Sequence, residues 1–280
     1  MTDFLQTLKR EIAPFLVRNL WPVAGAGVHL VFDGAVQRQV PQTQLKVLLL
    51  CVYRYKNASI VAAHLEEAKR QGWEVRLWAL DKVHPDLEAY SVGAGKGLRM
   101  PLLNRLAQGK NLSEFDWVVV MDDDFEFVRG TISLFLALAG RAGLALAQPA
   151  HAVDSQRAFW FFSLYKPVAV ARLTTFIEIG PAVAIHREWA SHVLPFPEGS
   201  GMGWGLDIEW SDLRTQGARL GIVDWATLRH LQPVGKSYDN SPEDERTCRL
   251  LLDRGFQSLG DFQKTEAVWR PWQRRPPWLG

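Results

Sequence analysis

The sequence is poor in the features that mark secreted, membrane-spanning and nucleic-acid-binding proteins. It has only two cysteines, Cys51 and Cys248, so no disulfide framework is expected and a reducing, cytoplasmic location is favoured. No basic stretch followed by an apolar core opens the chain, which argues against a secretory signal. No run approaches ~18 apolar residues, so no transmembrane helix is expected. A net charge of +2 is too balanced for nucleic acid to be the expected partner.

What remains is the composition of an ordinary globular protein. The 280 residues are 48% hydrophobic and 22% charged, which suits one large α/β core, or one domain with a small appendage. Apolar runs alternate with amphipathic segments. This predicts strands over 28–32, 45–53, 73–80, 117–121, 144–148 and 176–186, and helices over 1–17, 57–71, 98–106, 131–139 and 208–216. Such alternation predicts an α/β fold with a mainly parallel central sheet flanked by helices.

The strongest functional signal is the run Asp122-Asp123-Asp124, which directly follows the apolar segment Trp117-Val118-Val119-Val120-Met121. Three adjacent carboxylates repel one another unless a cation or protons neutralise them. Open α/β sheets bind ligands at the carboxyl ends of their strands, so the run predicts a divalent-metal site that holds phosphates. In an alternating register Asp122 and Asp124 point to the same side. The alternative is a turn or a helix N-cap.

A glycine-rich turn, residues 93–97, precedes the third predicted helix. It departs from the P-loop pattern, because Tyr90 occupies the position of the first glycine and Gly97 that of the Ser/Thr. It nevertheless brings Lys96 and Arg99 to a helix N-terminus, which suits a diphosphate or nucleotide. A solvated loop with two surface cations is the alternative.

A second glycine-rich segment runs from Gly201 to Trp210 and reads Gly-Met-Gly-Trp-Gly-Leu-Asp-Ile-Glu-Trp. Trp204 stands between Gly203 and Gly205, and the acids Asp207 and Glu209 follow at the start of a predicted helix. An aromatic face beside a carboxylate can bind and deprotonate a sugar hydroxyl. The alternative is that both acids only complement the helix dipole.

A lone histidine, His230, follows the apolar run 221–223 closely. It is a candidate metal ligand or a packed residue.

Taken together, these motifs resemble GT-A glycosyltransferases, most closely bacterial enzymes of the family-2 type. The resemblance rests on Asp122-Asp123-Asp124 and on the segment 203–207, and it covers roughly residues 45–240. It implies a GT-A fold over 45–263, preceded by a helix and connecting segment at 1–44 and followed by a Trp/Arg-rich tail at 264–280. It also implies donor-binding roles, which fall on Tyr53, Asp81, Lys96, Arg99, Asp122 and Asp123.

The same resemblance implies transfer of a hexose from a nucleoside-diphosphate donor, UDP- or GDP-linked, to an acceptor hydroxyl. Asp122, Asp124 and His230 would hold Mn²⁺ or Mg²⁺. An inverting reaction would use Asp207 as base, with Glu209 as second choice, and Gly203, Trp204 and Gly205 would bind the acceptor. Many relatives carry Glu-Asp where this chain has Leu206-Asp207. A carbohydrate or lipid-linked glycan acceptor would place the enzyme in cell-surface polysaccharide or glycoconjugate synthesis.

Two other functional classes stay open. A metal-dependent nucleotidyltransferase or phosphohydrolase also clusters aspartates at strand ends, although segment 46–55 lacks its glycine-rich phosphate signature. A non-catalytic sugar-binding protein on the same fold would need neither a metal pair nor a base.

Two aromatic segments keep two interpretations each. The segment 154–172 is an acceptor wall or a buried connection. The tail carries Trp and Arg residues suited to a membrane interface: Trp269, Arg270, Trp272, Arg274, Arg275 and Trp278. One expectation is peripheral contact at the inner face of a membrane. The other is a strap packed across the domain.

Overall fold

The computed structural model describes residues 13–40, 44–156, 161–233 and 241–280. The helices are α1 (Ala13–Gln37), α2 (Ala58–Gln71), α3 (Arg99–Ala107), α4 (Ile132–Arg141), α5 (Arg187–Val193), α6 (Leu206–Ser211), α7 (Ser241–Asp253) and α8 (Leu259–Phe262). The strands are β1 (Val47–Tyr53), β2 (Glu74–Ala79), β3 (Ser91–Ala94), β4 (Trp117–Met121), β5 (Phe125–Arg129), β6 (Leu146–His151), β7 (Ala171–Thr174), β8 (Ala182–His186), β9 (Leu220–His230) and β10 (Thr265–Trp269).

These strands form one sheet in the order β10-β7-β9-β6-β8-β4-β1-β2-β3, with β5 paired to β9. The half β3-β2-β1-β4 is parallel, and so is the pair β6–β9. The pairs β4–β8, β6–β8, β7–β9, β5–β9 and β7–β10 are antiparallel. The α/β fold with helices flanking a central sheet is therefore confirmed. Strands β1, β2 and β4 of its parallel half correspond to the strands predicted over 45–53, 73–80 and 117–121.

Strand β1 shows why the sheet is covered on both faces. All seven of its residues are buried, as expected for a continuous apolar run in a parallel sheet. Because successive side chains point to opposite faces, Leu49 and Cys51 pack in one core with α2 and α4, whereas Leu48 and Leu50 pack in another with α3 and α5.

Local signals for helix ends are confirmed at two places. Gly72 follows α2 in the left-handed conformation, with φ +66°, and its N–H bonds to helix carbonyls. The Thr131 side chain accepts a hydrogen bond from the Leu134 N–H and caps α4.

Three element predictions need correction. Residues 28–32, predicted as a strand, lie inside α1, because a five-residue apolar run has no period that separates strand from helix. The strand predicted over 176–186 begins only at Ala182, and the helix predicted over 208–216 is α6 followed by a 3-10 turn at Asp212–Gln216. Most of the helix predicted over 1–17 lies outside the described residues.

The C-terminal segment is integrated into the domain rather than separate from it. Strand β10 extends the sheet beside β7, and Trp269 is fully buried. The Trp278 indole N–H donates to the Ala142 carbonyl at 2.8 Å. Residues 264–280 therefore pack against the domain, as expected of a strap, and contact of their exposed side chains with a membrane stays a prediction. Within the part of the chain that the structure describes, no helix is long and apolar enough to cross a membrane.

Candidate active site

A cavity of about 420 Å³ lies at the carboxyl ends of β1 and β4. The sequence-predicted residues that line it come from four separate segments: Arg99, Asp122, Asp123, Asp124, Trp204, Asp207 and His230. The antiparallel pairing of β5 with β9 explains how a residue so late in the chain reaches the aspartates. Phe125 pairs with His230, and the Leu231 N–H bonds to the Asp124 carbonyl at 2.9 Å.

Asp122, Asp124 and His230 form a cluster with the composition of a divalent-metal site. One potential ligand atom from each lies within 4.8 Å of the other two. His230 Nε2 is 3.0 Å from Asp124 Oδ1. Two carboxylates suit Mn²⁺ or Mg²⁺ that is also bound to phosphate oxygens, and an added imidazole suits a transition metal such as Mn²⁺ better than Mg²⁺.

The cluster also perturbs its own titration. Burial raises the pKa of Asp122, with Arg99 opposing. Burial also acts to raise the pKa of Asp124, but the hydrogen bond and charge of His230, together with Arg54, lower it overall. Conversely, burial acts to lower the pKa of His230, and its bond to Asp124 raises it overall. Opposite charges within hydrogen-bond reach therefore hold Asp124 ionised and favour a protonated His230.

Two arginines neutralise the remaining carboxylate charge. Arg99 Nε is 2.7 Å from Asp122 Oδ1. The guanidinium of Arg54 contacts Asp123 Oδ1 at 2.6 Å and Asp124 Oδ2 at 3.2 Å, and its backbone N–H donates to Asp123 Oδ2 at 2.7 Å. The pKa of Arg54 is raised by these contacts, so its charge is permanent.

Sequence reasoning missed Arg54. The signal was available, because Arg54 directly follows β1 and therefore sits at the same sheet edge as the aspartates.

The glycine-rich segment 201–205 is pressed between two helices. Gly203 has φ +110°, and a Cβ there would lie 2.6 Å from Met100 Cε. Gly205 has φ +89°, and a Cβ there would lie 2.9 Å from Leu250 Cδ1. Both positions therefore favour glycine because of their positive φ, and the side-chain ends of Met100 and Leu250 would have to move to make room for a Cβ. The close approach sets Trp204 at the cavity wall between them.

Asp207 combines burial with access to the cavity. It is only 5% exposed, and its Oδ1 accepts the Ile208 N–H at 3.0 Å. Burial raises its pKa to about 7, although backbone hydrogen bonds act in the opposite direction. A carboxyl group that titrates near neutrality beside a metal-type cluster has the properties of a general base.

Glu209, the second-choice base, is engaged elsewhere. Its carboxylate forms an ion pair with Arg246 at 2.7 Å, and it does not line the cavity. The other arm of the same guanidinium donates to the Trp204 carbonyl at 3.4 Å. Glu209 therefore ties α6 and the glycine-rich segment to α7.

Three predicted donor-binding residues do not line the cavity. Tyr53 is buried, and its hydroxyl accepts the His84 N–H at 3.1 Å and bonds to Ser91. Asp81 accepts the Tyr55 N–H at 3.0 Å. Lys96 is exposed next to Gly97, which does line the cavity. Their donor-binding roles stay predictions.

The cavity also contains two buried residues that the sequence did not single out. His151 ends β6 and is 1% exposed, and Glu178 is 6% exposed. The Glu178 backbone N–H donates to the side chain of Gln148, which lies in β6 together with His151. A histidine at a strand's carboxyl end was the available signal.

The aromatic segment behaves as a buried connection in the part that is described. None of residues 161–172 lines the cavity, whereas residues 157–160 lie outside the described ranges. Arg172 and Asp224 form a fully buried ion pair at 2.9 Å, and the Lys166 N–H donates to Asp224 at 2.7 Å.

Comparison with known proteins supports the fold more than the family. No protein-family model matches the sequence, and no curated protein matches it. Among solved structures, the fold is similar to "GalNAc-T7 with UDP, GalNAc and Mn2+", with a TM-score of 0.54 at 12% identity. The match covers 74% of this chain but 48% of that one, so the chain spans about half of that protein's length. At this level of identity the likeness concerns architecture, and the protein has the GT-A fold.

Proposed function

We propose that the protein is a metal-dependent glycosyltransferase that moves a sugar from a nucleoside-diphosphate donor to an acceptor hydroxyl. The observation that carries this proposal is one cavity that contains both the Asp122/Asp124/His230 cluster and the buried Asp207, whose pKa is about 7. A divalent ion held by the cluster would offset the charge that develops on the leaving diphosphate. The similar structure contains UDP, GalNAc and Mn²⁺, which supports a nucleotide-sugar donor.

The residues of the chain divide the remaining work. Arg54 and Arg99 would exchange one carboxylate contact each for phosphate oxygens, because guanidinium groups bind either partner in bidentate geometry. Trp204 would lie against the acceptor sugar, with Gly203 and Gly205 allowing its close approach. Tyr53, Asp81 and Lys96 would serve the donor only after local rearrangement, since none of them lines the cavity.

In the reaction the acceptor oxygen attacks the anomeric carbon, the bond from that carbon to the diphosphate oxygen breaks, and the acceptor's proton passes to Asp207. A base on the side opposite the leaving group produces inversion of configuration. The proposal has three further parts. The donor is a hexose linked to UDP or GDP, and the acceptor belongs to surface polysaccharide or glycoconjugate synthesis. The enzyme is related to bacterial glycosyltransferases of the family-2 type.

Thermal unfolding with Mn²⁺ and a panel of UDP, GDP, CMP and dTDP tests the donor site. A ligand at a hundredfold excess over its Kd stabilises the fold by about 2.7 kcal/mol. We expect a metal-dependent rise in Tm with one nucleoside diphosphate and none in Asp124→Ala. Absence of a shift with every nucleotide contradicts the donor site. Nucleotide binding followed by phosphate release without sugar transfer favours a hydrolase, and binding without turnover favours a binding protein.

A further inference from the structure

The outer face of α1 is an apolar stripe that the described residues of the chain leave exposed. Leu20, Val23, Leu30 and Val31 are 56%, 71%, 89% and 70% exposed. Their spacing places them within one side of the helix, and residues 19–32 contain no Asp, Glu, Lys or Arg. A helix that faces water normally carries charged residues on its outer face, so a continuous apolar stripe indicates a binding surface.

The inner face already fixes the helix to the domain. Val17 and Val36 are buried, and the ring of His29 lies 3.6 Å from that of Trp225. The Trp225 indole N–H donates to Asp33 at 3.0 Å, which directs the only acid of α1 toward the sheet. The two faces of α1 therefore have distinct roles: the inner face packs against the sheet, and the apolar stripe faces outward.

The C-terminal segment brings aromatic and basic side chains next to α1. Trp272, which is 55% exposed, lies 6.0 Å from Phe32 of α1, and the guanidinium of Arg270 lies over the Trp272 ring. Four further arginines are exposed near the two ends of the helix and in the same C-terminal segment: Arg18, Arg38, Arg274 and Arg275.

We propose that this surface docks on a membrane that contains anionic lipid, with α1 lying flat in the headgroup region. Aliphatic side chains reach the acyl boundary in such an arrangement, tryptophan lies at headgroup level, and arginines contact lipid phosphates. A second copy of the chain fits less well, because symmetric pairing of the stripe would bring its neighbouring arginines together.

Docking at this face has a consequence for the cavity. Trp21 of α1 contacts Tyr165 with ring centroids 6.1 Å apart, and the Tyr165 N–H bonds to the carbonyl of the cavity residue His151 at 3.0 Å. If the proposed glycosyl transfer holds, an acceptor anchored in the membrane would be close to the cavity. The docking itself does not depend on that activity.

Flotation of the full chain with vesicles tests the surface. We expect binding to phosphatidylcholine vesicles that contain phosphatidylglycerol, weaker binding to phosphatidylcholine alone, and weakening with added salt. The variant V23E/L30E should lose binding by at least about tenfold. The control Leu252→Glu alters a side chain that is 66% exposed on α7 and should bind like the wild type. Circular dichroism and Tm establish that each variant is folded.

Three results would overturn the proposal. They are no binding to the anionic vesicles, equal binding by V23E/L30E and the wild type, and equal loss in Leu252→Glu. Size-exclusion chromatography with light scattering tests the alternative, in which a second copy of the chain covers the stripe. If the wild type is a dimer, V23E/L30E is a monomer and the wild type does not bind vesicles, the stripe serves self-association.

Discussion

Among single residues, Asp207 is where burial and chemistry coincide, and Glu209 two positions later provides its matched control. Both are acids of the same short helix, but only Asp207 lines the cavity, whereas Glu209 pairs with Arg246. We expect Asp207→Asn to reduce turnover by ~10²–10⁴-fold, because general-base catalysis contributes about that much. Glu209→Gln should cost far less, since it removes a positioning contact. Steady-state transfer assays measure both.

Donor affinity separates a lost base from a lost fold. Asp207→Asn should bind the nucleoside diphosphate like the wild type, because Asp207 is not one of the three residues of the Asp122/Asp124/His230 cluster. Turnover in Asp207→Asn that equals the wild type would remove the base assignment, and equal losses in both variants would assign the effect to the helix as a whole.

The raised pKa of Asp207 also predicts how stability depends on pH. The unfolded carboxyl titrates near 3.8 and the folded one near 7, so folding favours the protonated form. Its contribution is fully present below about pH 4 and is lost as pH rises to about 7, beyond which it no longer changes. Asp207→Asn has no such loss. The Tm of the variant should therefore rise relative to the wild type between pH 4 and 7.

Thermal unfolding across that range, in the absence of metal and nucleotide, measures the difference directly. Glu209→Gln serves again as the matched control, because it removes an acid from the same helix without changing the cavity lining. A Tm difference between Asp207→Asn and the wild type that stays constant with pH would show that Asp207 titrates as an ordinary exposed acid.

At the scale of elements, the glycine-rich segment owes its shape to both backbone conformation and space. Gly203 and Gly199 both have positive φ, +110° and +78°, but a Cβ would meet Met100 and Ile179 only at Gly203. Gly199→Ala should cost roughly 1–2 kcal/mol of unfolding free energy from backbone strain. Gly203→Ala should add about 1–3 kcal/mol from overpacking and displace Trp204.

Denaturant unfolding measures the two costs, and transfer assays compare the two variants. The expected pattern is loss of activity in Gly203→Ala with activity retained in Gly199→Ala. Equal costs in both variants would mean that the segment adapts, and that the close contact with α3 does not fix Trp204.

Helices and strands also differ in how well the sequence predicted them. Strands β1 and β4 were predictable because continuous apolar runs bounded by polar residues match buried parallel strands. The same rule failed at residues 28–32, where the apolar run belongs to a long helix whose exposed face is also apolar. Periodicity assumes that the outward face is polar, and α1 violates that assumption at its docking surface.

The site follows the same division. Asp122, Asp124 and Asp207 line the cavity as carboxylate runs and a glycine-flanked tryptophan indicated, and so does His230, which was singled out because it follows an apolar run; the roles of all four stay predictions. Arg54 directly follows β1 and His151 ends β6, so both carried a local signal that was overlooked, whereas the approach of Glu178 depends on which strands are neighbours in the sheet. Tyr53 lies at the strand end that the sequence predicted, but its side chain is on the sheet face opposite the cavity. Shifting a strand by one residue moves each side chain to the other face, so this difference depends on the register.

At the scale of the whole molecule, the last seventeen residues complete the sheet, and this limits how membrane docking can be tested. Truncation before β10 would expose the edge of β7 and remove Trp269, so lost lipid binding would only report unfolding. Point variants separate the two effects, because Trp269 is fully buried and Trp272 is 55% exposed in the same segment. Trp269→Ala should lower the unfolding free energy by about 3–5 kcal/mol, a large share of the ~5–15 kcal/mol typical of a domain.

Trp272→Ala should change stability by less than ~0.5 kcal/mol, since it removes a surface side chain, but it should weaken binding to anionic vesicles. Denaturant titration and flotation of the two variants give four values that must agree with this pattern. A stable Trp269→Ala would show that β10 is dispensable to the fold. Unchanged lipid binding by Trp272→Ala would exclude this tryptophan from the docking surface. Among the described residues, α1 would then supply the apolar and aromatic contacts of that surface with lipid.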